Sequence, residues 1–73
     1  MDVEVLDQNR QPLAKGTLDI RGAEGALKPD KPLGEGHYYI RAGNVVRSTR
    51  VWAPGADGAM RVESRDYPYR LEL

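Results

Sequence analysis

HYYIRAGNVVRSTRVWAP, residues 37–54, is the stretch whose reading decides the fold. Two runs rich in Tyr, Ile, Val, Thr and Trp flank Gly43-Asn44, and such residues suit a pleated, half-buried surface. A Gly-Asn pair can adopt the positive φ that a two-residue hairpin turn demands. The expectation is one β-hairpin. The stretch also holds the only Trp, two of the four Tyr, Arg41, Arg47 and Arg50, and no carboxylate. These are residue types favoured at binding hot spots.

In the first arm Tyr38, Ile40 and Ala42 fall on one face and Tyr39 and Arg41 on the other. In the second, Val45 and Val51 share one face while Val46 and Trp52 share the opposite one. Either both faces are partly covered, or a bulge near Ser48 shifts the register. Pro54 ends the arm. Gly55-Ala56-Asp57-Gly58 is a strong turn signal, and Met60 and Val62 then alternate with Arg61 and Glu63 as another strand.

Working back to the N-terminus, Val3 and Val5 alternate with Asp2 and Glu4, the period of a half-buried strand. Residues 7–12, DQNRQP, have turn composition. From Thr17 to Arg21 the alternation resumes, with Leu18 and Ile20 on one face, so strands one and two are expected to be antiparallel neighbours. Residues 22–36 contain four Gly, Pro29 and Pro32, with Leu27 and Leu33 as their only sizeable apolar side chains. They read as a long irregular stretch, a crossover or a binding loop, in which residues 23–28 have room for about one helical turn. At the far end, Tyr67, Tyr69, Leu71 and Leu73 share one face of a last expected strand, and Pro68 places its start at an edge. About six strands over 73 residues, with no amphipathic helix or repeat, predict an all-β domain: a small antiparallel β-sandwich or a partly open barrel.

Composition narrows the function classes. One domain of this length stands near the lower limit for a single core, and without Cys it has neither disulfides nor thiolate chemistry. Residues 1–10, MDVEVLDQNR, show no basic leader, and no apolar run is long enough to cross a bilayer, so the expectation is a soluble, cytoplasmic protein with no membrane partner. Net charge is zero. Residues 1–36 carry five Lys or Arg against seven acids, whereas residues 37–73 carry six Arg against four acids. Arg suits planar, bidentate contact with carboxylate or phosphate.

Catalytic signals are missing. His37 is the sole histidine, which leaves no His cluster for zinc, and the carboxylates show no loop spacing suited to a hard metal. Ser48, Thr49 and Ser64 lie in no nucleophile-elbow context. Gly34-Glu35-Gly36 lacks the third glycine and the helix of a phosphate cradle. The chain is therefore expected to be a non-enzyme, with no cofactor and no metal.

Val3-x-Val5-x-Asp7, Pro12-Leu13, Gly16 and Leu18-x-Ile20-x-Gly22 together resemble the opening of the carboxypeptidase-regulatory-like, transthyretin-like β-sandwich domains. Residues 33–42, LGEGHYYIRA, are similar to their later tyrosine-bearing strand, and the terminal Leu71-Glu72-Leu73 to their ending. Lys15 stands where those domains usually have a small residue, and Gly34-Glu35-Gly36 replaces their acidic turn. The resemblance implies a non-catalytic, fold-assisting or partner-binding module and transfers no functional residue.

Two partner classes follow. The first is another protein, met through Tyr39, Arg41, Arg47, Arg50 and Trp52, with the chain acting as an assembly component, adaptor or small inhibitor; phage and mobile-element proteins are often built on this scale. The alternative is nucleic acid, bound by a small SH3-like or OB-like barrel with Tyr39, Trp52 or Tyr67 on bases and Arg41, Arg47, Arg50, Arg61 and Arg65 on phosphates. A homo-oligomer, in which residues 67–73 extend a neighbour's sheet, also fits. The discriminating feature is where Arg41 and Arg50 point: sharing an exposed face with Tyr39 or Trp52 with no acid to neutralise them favours nucleic acid, whereas Asp19, Glu63 or Glu72 across the strands makes them ordinary cross-strand pairs.

Overall fold

A computed structural model describes residues 1–65, 70, 71 and 73. Among the described residues the structure is all β, with six strands: β1 (Asp2–Leu6), β2 (Pro12–Arg21), β3 (Glu24–Pro29), β4 (Gly36–Ala42), β5 (Val45–Pro54) and β6 (Met60–Ser64). All pairings are antiparallel, and the sheet closes in the order β1-β2-β3-β6-β5-β4. The ring thus consists of two three-stranded meanders, β1–β3 and β4–β6. They meet at two seams, β1–β4 and β3–β6. Closure leaves no open sheet edge on the ring.

The hairpin expected at residues 37–54 forms, with Ala42 opposite Val45 and Gly36 opposite Val51. Gly43 has φ +60 while Asn44 is not among the positive-φ residues, the φ pattern of a type II′ turn. Register between β4 and β5 is unbroken past Ser48; the irregularity lies between Val51 and Pro54, against β6. Val45 and Val46 are both half-buried, so both faces of this arm are partly covered.

Residues 22–36 depart from expectation. They are not one irregular stretch, and residues 24–29 form β3, hydrogen-bonded to β2 on one side and β6 on the other. Gly22, at φ +68, opens a two-residue turn that sets Glu24 opposite Arg21. Gly25 serves close approach: a Cβ there would stand 2.8 Å from the Asp19 carbonyl oxygen. Gly16, opposite Pro29, does the same from β2, since its Cβ would stand 2.6 Å from the Lys28 carbonyl oxygen. Glycines that argue against a strand in isolation are here the positions where two strands crowd together.

The interior is lined by Val3, Val5, Ala14, Leu18, Leu27, Ile40, Val51, Met60, Val62 and Leu71, all buried. Thr49 is the one buried polar side chain among the described residues, and its hydroxyl donates to the Tyr38 carbonyl at 3.0 Å. The expected last strand falls largely on Tyr67, Pro68, Tyr69 and Glu72, which lie outside the described residues. Leu71 and Leu73 do pack on the core as their alternation implied, but neither lies in a strand. The Leu71 N–H reaches the Gly22 carbonyl at 3.0 Å.

Candidate functional site

The alternation of β4 and β5 sends Tyr39, Arg41, Arg50 and Trp52 to the outside of the barrel. Arg47 falls on the inward side, opposite Ile40, yet is exposed, because strand pairing with β6 reaches only to Thr49. The five residues expected to bind a partner therefore do not form one cluster. Ion pairing divides them.

Arg41 closes a seam. It stands opposite Glu4 in the β1–β4 register and its guanidinium pairs with the Glu4 carboxylate. That seam has only three residue pairs, Glu4 with Arg41, Val5 with Ile40 and Leu6 with Tyr39, so a partly buried ion pair on it fastens the barrel. Arg61 has the matching role at the other seam. Glu24 and Glu63 lie directly opposite each other across β3–β6, a repulsive placement for two carboxylates. Arg61 bridges them, with Nε 3.2 Å from Glu24 and Nη2 donating to Glu63. The hydrogen bond to Glu63, aided by both carboxylate charges, raises the Arg61 pKa above its already high ordinary value.

Trp52 is half-buried on the outside of β5 and does not belong to the core. The guanidinium of Arg50 stands 4.7 Å and that of Arg61 4.6 Å from its ring centre, a cation–π arrangement. Arg50 also faces Glu63 in register and approaches Glu35 at 3.9 Å. The discriminating feature thus resolves toward cross-strand pairs: both Arg41 and Arg50 have carboxylates across the sheet.

A second group of arginines behaves differently. The loop after β1 is held by Asp7, whose carboxylate accepts the N–H of Asn9 and of Gln11, both at 2.8 Å. This turn puts Arg10 at φ 62, a left-handed backbone uncommon for a residue with a side chain. Its guanidinium lies over the Tyr39 ring at 4.8 Å. Tyr39 pairs with Ser48, and Ser48 receives Arg65 twice, through the backbone N–H and through Nη1, each at 3.2 Å. Arg47, next to Ser48, bonds the Val46 carbonyl. Among the described residues Arg10, Arg47 and Arg65 have no carboxylate partner. The sequence reading named Tyr39, Arg47 and Arg65 but passed over Arg10 and Ser48. Only the pairing of β1 with β4 brings the 7–11 loop to Tyr39.

Elsewhere the surface offers little chemistry. An open groove of about 690 Å³ runs over β1, β2 and the end of β3, but its charges cancel, with Asp2, Glu4 and Asp30 set against Lys15, Lys28 and Arg41. Among the described residues no group of three or more His, Asp or Glu side chains comes together as a metal site. His37 is exposed, and its backbone carbonyl accepts the Gln8 amide at 2.6 Å. No helix among the described residues is long and apolar enough to cross a membrane. No protein-family model, curated protein or solved structure matches this chain.

Proposed function

We propose that this chain is a non-enzymatic protein-binding module, an assembly component, adaptor or small inhibitor, that works through the outer face of β4, β5 and β6. The observation that carries the reading is that both outward aromatic rings of this face, Tyr39 and Trp52, are already stacked under guanidinium groups. Aromatic anchors held in place before contact lose less side-chain freedom on binding. Tyr, Trp and Arg are also the side chains that dominate interface hot spots. The resemblance of residues 1–22 and 33–42 to partner-binding β-sandwich domains implies a module of the same kind.

A second reading, binding of nucleic acid, has one observation in its favour: Arg10 lies over the Tyr39 ring and, among the described residues, has no carboxylate partner. Against it, Arg21, Arg41, Arg50 and Arg61 each pair with a carboxylate among the described residues, and net charge is zero. Modules that track a phosphate backbone carry a basic excess.

The test is a pull-down from native lysate with the tagged full chain, divided into nuclease-treated and untreated halves. A protein retained equally in both halves, and lost with Trp52→Ala or Tyr39→Ala while the variants still melt cooperatively, is the expected result. Nucleic acid retained alone and released by moderate salt would replace this reading with the second. Retention of neither would point to self-assembly.

A further inference from the structure

We infer that the strip running from Arg10 over Tyr39 and Ser48 to Arg65 is the contact surface for an acidic segment of a partner protein. This rests on the protein-binding reading and narrows it to one part of the face and one partner chemistry.

The arginines sort by partner. Among the described residues Arg21, Arg41, Arg50 and Arg61 each meet a carboxylate, whereas Arg10, Arg47 and Arg65 meet none. Such cations scattered over a barrel would be ordinary solvated charge, and Arg47, on the inward side of β5, is one of that kind. A continuous set of contacts connects the other two: Arg10 on the Tyr39 ring, Tyr39 opposite Ser48, and Ser48 bonded to Arg65. The Arg10 guanidinium lies over the Tyr39 ring, and among the described residues no hydrogen bond takes up its in-plane N–H groups. That edge is what a carboxylate takes in bidentate fashion. Arg65 spends one terminal nitrogen on Ser48 and keeps other donors. The backbone at Arg10 points the same way. A left-handed φ favours Gly or Asn, so Arg10 holds its side chain there at a conformational cost.

The strip is bounded. Two residues along β4 from Tyr39 lies the Arg41–Glu4 pair, and two residues along β5 from Ser48 lies Arg50 with Glu35. A polyphosphate backbone crossing this face would run from the unpaired arginines onto carboxylates at either side. A short run of Asp or Glu fits between them, with Tyr39 offering an apolar surface to the stems of those side chains. The observations favour an acidic peptide over nucleic acid.

The experiment uses the full chain, a fluorescent poly-glutamate peptide of about 12 residues, and an oligothymidine of about 12 nucleotides, read by anisotropy at roughly 50 and 200 mM salt. The peptide is expected to bind, more weakly at the higher salt. Affinity should fall about tenfold or more in an Arg10→Glu, Arg65→Glu double variant and change less than about twofold in Arg21→Glu. Melting curves show that each variant is folded; if the double variant is not, the two single variants replace it, each expected to lose about threefold. Equal binding by wild type and charge-reversed chains, no peptide binding, or a preference for oligothymidine of about tenfold or more overturns the inference. A photo-crosslinking residue in place of His37, exposed on the same outer face opposite Arg50, separates its failure from failure of the broader reading. Protein adducts at that position lost on charge reversal support the strip. Adducts unaffected by charge reversal leave the protein-binding module standing and remove the strip from it. Absence of adducts in every variant overturns both.

Discussion

Replacing Gly16 by Ala tests how the barrel closes. The added Cβ would stand 2.6 Å from the Lys28 carbonyl oxygen and 3.0 Å from the Pro29 Cα. Ordinary van der Waals contact begins near 3.4 Å, so β3 must retreat from β2 by up to 3.4 − 2.6 = 0.8 Å. Both obstructing atoms are backbone, and no side chain can swing aside. Overpacking of this kind costs about 1–3 kcal/mol. The lower entropy of the unfolded alanine chain returns about 0.4–1 kcal/mol. The mid-range difference, a net loss of about 1.3 kcal/mol, corresponds to a fall in Tm of roughly 5–10 °C for a domain this small. Gly34→Ala is the matched control, because nothing lies within 4 Å of its Cβ and its φ is not in the left-handed region. It should be stabilised by about 0.4–1 kcal/mol. Paired thermal melts by circular dichroism read both variants. Equal shifts in the two, or a Gly16→Ala chain as stable as wild type, would refute the idea that close approach of β2 and β3 is what glycine provides at position 16.

Other outcomes follow from the same structure. Leu27, fully buried on β3, should lose about 2–5 kcal/mol as Ala, much of the ~4–11 kcal/mol available to a chain of this length, and urea unfolding measures it. In the wild type, hydrogen exchange should find the β3 amides of residues 25–28 protected rather than exchanging as a loop would. A Glu4→Gln, Arg41→Ala double-mutant cycle should return a coupling of about 0.5–1 kcal/mol; a value near zero would deny the pair its role at the β1–β4 seam. Trp52→Ala should cost only about 1 kcal/mol or less, because the ring lies outside the core under Arg50, while partner retention is lost; a core-sized loss of stability would contradict this placement.

Much of the fold is legible in local pattern. Alternation at Val3–Val5, Leu18–Ile20, Tyr38–Ala42 and Met60–Val62 marks strands and their inward faces, because successive strand side chains point to opposite sides whatever the partner strand is. The Gly43-Asn44 hairpin is equally local, its turn needing only one residue free to take positive φ. β3 was hidden for a specific reason. Gly25 and Pro29 speak against a strand when judged by propensity, and the fitness of Gly25 depends on β2 lying so close that a Cβ there would stand 2.8 Å from the Asp19 carbonyl oxygen, which is a tertiary fact. Of the proposed site, residue types were visible and allegiances were not. Whether an arginine binds a partner or its own sheet depends on which carboxylate the register places opposite, so Arg41, Arg50 and Trp52 turn out to be engaged while Arg47 is not.

The sequence by itself thus determined an all-β chain of about six strands and a hairpin rich in Arg and aromatic residues, because strand period, turn chemistry and composition act between near neighbours. Tertiary structure alone decided that β1 meets β4 and β3 meets β6, that Glu4 engages Arg41 and Glu24 engages Arg61, and that Arg10 is carried onto Tyr39. Those contacts span dozens of residues of chain, and ring closure selects them from the many pairings that the same local preferences would permit.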